Sequence, residues 1–364
     1  MPKLRVLFDA TLAANPAGSG TFTRGVLAAL RQREDLEVVT SALSLESIQT
    51  LDNRRKGPAS RAASSLAHLR YYLTTLPRAA RRAGADVIYC PSSLVPWQGR
   101  TPLVMTVYDL TVERYPETLD RVSRWYLGQM LKVGMRRARA LCTISNAVAG
   151  ELRGRAGSRP IVVAYPGPSS DLLNATATAV EAVTPPFVLM VGTIEPRKNH
   201  VTALRALAAH RERRPESRLS LVISGSPGWR YDEVLTTIDR LQLADRVHRL
   251  GALQPGALRW LYEHARGLLF PSLYEGFGLP VLDASILHCP VVASDIGSVR
   301  EIVGGTGTPL LPPQDVEQWT EAIDELASGS APINRLEAAA ARGAHFTWQA
   351  CAASVAEALR LAVA

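Results

Sequence analysis

Short, almost wholly apolar runs recur along the chain. Most are followed by a glycine- or proline-bearing turn and then by apolar positions three and four apart. In the first half the runs are 4–9, 86–90, 103–109, 141–144 and 161–164, and in the second 187–191, 219–223, 247–250, 267–270 and 290–294. Runs this short and this apolar suit strands buried on both faces. Helical spacing fills the intervals: 21–30, 119–139, a helix to Arg153 capped by Ser145 or Asn146, a helix ending at His210, 255–264, a helix from Leu279, 315–326, 335–342 and 348–363. Strands alternating with helices predict an α/β protein with parallel sheets. Residues 166–186 interrupt the pattern with Pro, Ser, Ala and Thr and little periodicity, after which it restarts. A chain of 364 residues is too long for one typical core, so two domains are expected.

Composition changes this picture little. A hydrophobic share of 47% is that of an ordinary globular protein. Cys90, Cys142, Cys289 and Cys351 lie far apart in apolar contexts and read as buried thiols of a reducing compartment. There is no leader-like start and no apolar run of about 18 residues, so a cytoplasmic enzyme is expected. The net charge of +8 is compatible with nucleic acid, an anionic membrane face or a phosphorylated substrate, and equally with a chain rich in Arg and Ala. Residues 54–85 contain no acid but carry Arg54, Arg55, Lys56, Arg61, Arg70, Arg78, Arg81 and Arg82. Leu66, Leu69, Tyr72, Leu73 and Leu76 recur there at helical spacing. Such a stripe packs on a core or, with its basic face over 54–82, lies on the inner face of an anionic membrane. Nucleic acid is not expected, because the basic residues lack interleaved aromatic platforms.

Two turns carry candidate chemistry. In Phe270-Pro-Ser-Leu-Tyr-Glu-Gly-Phe-Gly-Leu-Pro-Val-Leu-Asp-Ala284 a strand ends at Pro271 and Ser272, and a glycine turn opens a helix at Leu279. Pro280 falls in the first turn, where its missing N–H costs nothing. Free amides and the positive helix end make an anion site there, with Glu275 on the turn and Asp283 one turn into the helix. Ligands with phosphates and hydroxyls together, such as nucleotide sugars, suit that set; a plain strand–turn–helix crossover carries the same glycines. Arg197 and Lys198 follow another strand end, on the sheet edge where α/β proteins bind ligands. A departing diphosphate would meet two fixed cations there. A third loop, 15–20, follows the first strand but lacks the third glycine of a dinucleotide fingerprint. No Asp-x-Asp pair, phosphate-loop lysine motif, His-Glu-x-x-His helix or nucleophile elbow occurs, so neither a cofactor nor an essential metal is expected.

Tyr274-Glu-Gly-Phe-Gly-Leu-Pro280 with Asp283 eight positions after Glu275 resembles the E-x7-E signature of the retaining family 4 glycosyltransferases. Val191-Gly-Thr-Ile-Glu-Pro-Arg-Lys-Asn199 resembles their phosphate-binding turn. Thr106-Val-Tyr-Asp-Leu110 with Tyr115-Pro116, Thr143-Ile-Ser-Asn146 and Phe346-Thr-Trp348 resemble their acceptor-domain strand ends and the entry to their last helix. The resemblance implies a GT-B fold, two Rossmann-like parallel-sheet domains facing across a cleft. Residues 1–167 with 346–364 would bind the acceptor, 168–185 would link, and 186–345 would bind the nucleotide sugar. The C-terminal helix would cross back to the first domain.

Carried over by position, Arg197 and Lys198 would hold the diphosphate and Glu275 the sugar hydroxyls. Gly276, Phe277, Gly278 and Leu279 would cradle sugar and phosphate, and Asp283 would hold the ribose. Gly18, Ser19 and Gly20 would lie over the donor phosphate and acceptor, and Val247 and His248 in the base-binding segment. Gly192, Thr193, Gly225 and Ser272 join the donor-binding set, and Tyr108 and Asp109 the catalytic one. Two departures stand out. Asp283 is one methylene shorter than the usual Glu, and Tyr108 stands where the family often has His. The implied reaction moves a hexose with retention and without metal from a nucleotide-diphosphate sugar, GDP-mannose first, to a glycan or lipid-linked acceptor. UDP-glucose is the alternative donor, and a disaccharide phosphorylase or synthase the alternative reaction.

Overall fold

A computed structural model describes residues 3–41, 67–118, 121–329 and 331–364. The chain forms two compact units. One holds Met1–Arg114, Asp120–Gly167 and Thr347–Ala364; the other holds Tyr115–Leu119 and Pro168–Phe346.

The first unit runs β1 (Leu4–Asp9), α1 (Gly18–Arg31), β2 (Leu36–Ser41), α2 (Leu76–Arg82), β3 (Val87–Cys90), β4 (Leu103–Val107), α3 (Arg121–Arg137), β5 (Ala140–Thr143), α4 (Asn146–Arg153) and β6 (Ile161–Val163). Its sheet is parallel, in the order β2-β1-β3-β4-β5-β6. β3, β4 and β5 are buried throughout, as their uniform apolarity requires. Ser145 caps α4, its hydroxyl accepting from Val148 N–H at 3.2 Å. The final helix, Trp348–Val363, belongs to this unit, and the Trp348 ring meets Phe22 of α1 edge-on at 6.0 Å. Gly25 makes that approach possible: a Cβ there would lie 2.3 Å from the Trp348 ring.

The second unit runs β7 (Phe187–Val191), α5 (His200–Arg213), β8 (Ser220–Ser224), α6 (Tyr231–Arg240), β9 (Val247–Gly251), α7 (Pro255–His264), β10 (Gly267–Phe270), α8 (Leu279–Ile286), β11 (Val291–Ser294), α9 (Gly297–Val303), β12 (Leu310–Leu311), α10 (Val316–Ser328) and α11 (Ile333–Gly343). Its parallel order is β12-β11-β10-β7-β8-β9. Residues 168–185 pack within this unit: Arg259 of α7 donates to the carbonyls of Leu173 and Ala175 at 2.5 and 3.0 Å.

Several local expectations are corrected. β2, β12 and α9 have no counterpart among the expected elements, and the loop expected over 15–20 is helical from Gly18 onward. Asn15 starts that helix by accepting from Ala17 N–H at 2.9 Å. Gly20 then fits against the Asn15 carbonyl, where a Cβ would lie 1.8 Å away. Of the basic stretch 54–82, residues 54–66 lie outside the described residues. Beyond them, the chain widens into a π-helical turn at Tyr71–Thr75, which turns both Tyr71 and Tyr72 inward. Their hydroxyls donate to Asp9 at 3.0 and 2.9 Å. Leu76 is buried as well, while Arg70, Arg78, Arg81 and Arg82 are exposed, so this part of the stripe is core with solvated charges. No helix among the described residues is long and apolar enough to cross a membrane. All four cysteines are buried free thiols.

Candidate active site

The second sheet reverses its direction of growth between β10 and β7. From β7 the chain proceeds outward to β8 and β9, and from β10 outward to β11 and β12. The segments leaving the carboxyl ends of these two neighbours therefore part and leave a crevice, the usual ligand position in an open α/β sheet. Residues 192–199 leave β7 and residues 271–278 leave β10. The sequence motifs thus fall on the two sides of one switch point.

The two turns are bonded to each other. Leu273 N–H donates to the Arg197 carbonyl at 2.8 Å, and Arg197 Nη1 donates to the Tyr274 carbonyl at 2.8 Å. Asn199 sits in the left-handed region (φ 55°) between a 3-10 turn and α5. Its side-chain amide donates to the carbonyls of Pro271 at 3.0 Å and Pro313 at 2.6 Å. This is how residues from two turns far apart in sequence come to share one surface.

Glu275 is the hub. Its Oε2 accepts from Arg197 Nη1 at 2.7 Å and its Oε1 from Lys198 Nζ at 2.6 Å. Arg197 Nη2 donates to Glu195 Oε1 at 2.7 Å, and Lys198 Nζ lies 5.3 Å from the centre of the Phe270 ring. The Ser298 hydroxyl of α9 donates to the Glu275 carbonyl at 2.9 Å. Glu275 is 8% exposed. Burial alone would raise its pKa, but the Arg197 and Lys198 charges outweigh burial and hold it at about 2. The glutamate is therefore ionised near neutrality and fixes both cations beside the crevice. Gly278 leads into α8 with φ 121°, a conformation closed to ordinary side chains, and α8 begins with no side-chain cap. In its first turn Pro280 has no N–H, and the Val281 and Leu282 amides donate to the Gly278 carbonyl at 2.9 and 3.2 Å.

Several other residues of the expected donor set belong to these two turns or to the helix that follows; Val247 and His248 do not. Gly192 and Thr193 begin the turn after β7, and Gly225 presses on it: a Cβ at 225 would lie 1.9 Å from the Gly192 carbonyl oxygen. Ser272, Gly276 and Phe277 are buried in the turn after β10, with the Phe277 ring edge-on to Phe346 at 5.4 Å. Leu279 is the first residue of α8. Val247 and His248 are a correction: they begin β9, at the amino end of a strand two places from β7, so the parallel register sets them at the sheet edge opposite the hub. Asp283 is buried inside α8 and receives two hydrogen bonds from Ser169, N–H to Oδ1 at 2.9 Å and Oγ–H to Oδ2 at 2.7 Å. Burial outweighs those bonds and raises its pKa to about 6.

The remaining candidates lie at the carboxyl edge of the first sheet. Tyr108 follows β4 and donates to the Pro91 carbonyl at 2.5 Å, with the Ser19 carbonyl 3.5 Å from the same hydroxyl. Burial raises its pKa above the ordinary tyrosine value, so it is a donor and not a base. Asp109 Oδ1 accepts from Thr111 N–H at 2.9 Å, at the start of the one-turn helix Thr111–Arg114. Gly18, Ser19 and Gly20 form the first turn of α1. Sequence reasoning gave no role to Glu195, Asn199, Ser298 and Ser169. Glu195 and Asn199 flank Arg197 and Lys198 in the same turn and so had a local signal; Ser298 and Ser169 had none.

Two Rossmann-like units with these turns define a GT-B glycosyltransferase, and comparison with known proteins agrees. Residues 16–171 match the family described as Glycosyltransferase Family 4, and residues 176–343 the one described as Glycosyl transferases group 1. The two halves of the chain thus match glycosyltransferase family models, and the chain is an enzyme of the hexosyl-transferring kind. It is similar to the O-antigen chain mannosyltransferase B of Escherichia coli, 28% identical over 363 residues that span 92% of this chain and 93% of that protein. It is also similar to the MMP alpha-(1->4)-mannosyltransferase of Mycolicibacterium hassiacum, 28% identical over 284 residues covering 72% and 66%. Its fold matches the sucrose-phosphate synthase of Thermosynechococcus elongatus with a TM-score of 0.75, at 20% identity over 98% of both chains.

Proposed function

We propose that this enzyme transfers mannose from GDP-mannose, with retention, to a hydroxyl of a growing glycan of the O-antigen kind. The observation that carries the reading is the Glu275–Arg197–Lys198 hub at the switch point. The likeness to the O-antigen mannosyltransferase supports the choice of sugar and acceptor. In this reading the anomeric carbon–oxygen bond to the diphosphate breaks. A bond to the acceptor oxygen forms on the same face, and the acceptor proton passes to a diphosphate oxygen. No protein base is needed, which suits a Tyr108 hydroxyl already donating to a carbonyl. Arg197, Lys198 and the turn amides meet the leaving-group charge, where each charge-assisted contact contributes about 1.5–3 kcal/mol. The reading needs no metal, and it puts the donor on the cytoplasmic side of the membrane.

A thermal-shift panel of GDP, UDP, TDP and ADP with their sugars tests the donor, because a ligand that binds only the folded state raises Tm. GDP and GDP-mannose should give the largest shift, with turnover unchanged in EDTA. A larger shift with UDP-glucose would replace the donor, and turnover that needs inorganic phosphate would replace the reaction class.

A further inference from the structure

Asp283 stands where the resemblance puts a ribose-binding acid, and any part it plays in binding rests on the donor being a nucleotide sugar, as proposed. That acid is already occupied. Ser169 brings two donors to its two oxygens, N–H to Oδ1 at 2.9 Å and Oγ–H to Oδ2 at 2.7 Å. A vicinal diol engages a carboxylate with the same pair of contacts. Asp283 is only 5% exposed, so a ligand finds almost no open face on it. A buried carboxylate loses more when donors are removed than it gains from each one made. Ser169 can therefore leave only when equivalent donors arrive, and a ribose brings two.

The Ser169 side chain is not tied to its own helix. Ser169 occupies the N-cap position of the short helix Ser170–Leu173, yet its side chain makes no capping bond there. Its hydroxyl is held by Asp283 instead, 114 residues away in sequence. Arg259 meanwhile keeps the rest of the segment on α7 through Leu173 and Ala175. The change can stay local to Ser169.

We infer that Ser169 is the resident occupant of the nucleoside subsite, which a ribose diol displaces from Asp283 on donor binding, so that Ser169 sets donor affinity.

Calorimetric titration of GDP and UDP and their 2′,3′-dideoxy forms into wild type, Ser169→Ala and Ser169→Thr tests this. If neither ribonucleotide binds wild type, the donor reading fails and this inference with it. Given binding, Ser169→Ala should tighten the ribonucleotide about three- to tenfold, part of the worth of one hydrogen bond to a charged group. It should leave the dideoxy form unchanged, and Ser169→Thr, which keeps the hydroxyl, should match wild type. Equal effects on both nucleotides, or weaker binding of both, would overturn the inference while the donor reading stands. Should Ser169→Ala fail to fold, residue-resolved amide exchange on wild type decides. The Ser169 N–H should lose protection with the ribonucleotide and keep it with the dideoxy form; retained protection in both would overturn the inference.

Discussion

Glu275 and Asp283 lie eight residues apart on one turn and helix, both are buried, and their surroundings drive them in opposite directions. Glu275 faces two cations, and its pKa falls to about 2. Burial raises the Asp283 pKa to about 6 against the two uncharged Ser169 donors, with no cation bonded to it among the described residues. A spacing that reads as one two-acid signature therefore encloses two different devices. At the Glu275 end, fixed charge is gathered for a charged ligand. At the Asp283 end, a buried carboxylate is held by two neutral hydrogen bonds from Ser169.

The largest separation of the two ends should appear in turnover. Glu275→Ala removes the group that fixes Arg197 and Lys198, and it should lower kcat by a factor on the order of 10²–10³, as loss of one preorganised charge-stabilising group does. Asp283→Asn keeps the Ser169 contacts, its carbonyl accepting from N–H and its amide donating to Oγ, and should change kcat far less. Steady-state kinetics with the donor found in the thermal-shift panel checks both. Near-wild-type turnover in a folded Glu275→Ala enzyme would remove the hub from the mechanism.

The next effect is on stability in acid. Glu275 is lowered from 4.5 to about 2 in the folded chain, so its contribution is present above the unfolded value and lost as pH falls through the folded one. The window runs from about pH 5 to pH 2, and the effect is at most about 3 kcal/mol. Urea unfolding of wild type and Glu275→Gln across that window should show wild type losing stability more steeply. Parallel curves would mean that the two cations do not compensate the buried carboxylate.

What is legible in the sequence depends on distance along the chain. The strand, the glycine turn and the Pro280 helix start around Glu275 are local, and the apolar run 267–270 with its turn residues predicts them. Arg197 and Lys198 fall at the correct sheet edge because each strand–turn–helix unit fixes its own edge. Their convergence on Glu275 depends on β7 and β10 being neighbours, which no local pattern records. Asn199, bridging Pro271 and Pro313, and Ser169, bonded to Asp283, act only through such tertiary proximity. β2 and β12 escape the pattern for another reason: Leu36–Ser41 carries polar positions at an exposed edge, and Leu310–Leu311 is two residues long. The start of the helix at Gly18 looks like a loop in sequence because two glycines lower helix propensity. Asn15 and the close approach at Gly20 override that preference.

The smallest effect is the one that best isolates Asp283. Its pKa is raised from 3.8 to about 6, so the sign is the reverse of that for Glu275. The protonated form is favoured in the folded chain, and the associated stability is full below the unfolded value and lost as pH rises through the folded one. Asn at this position is permanently uncharged, so it avoids that loss while keeping a partner for each Ser169 donor group. Relative to wild type, Asp283→Asn should be nearly neutral at pH 4 and more stable by about 1–2 kcal/mol at pH 8. The upper end requires that burial is the only cost removed, and any charge-assisted strength in the two Ser169 bonds reduces it. Urea midpoints at the two pH values check the difference. A variant less stable than wild type at pH 8 would mean that the ionised carboxylate is well compensated where it lies, and the contrast with Glu275 would collapse to one of degree.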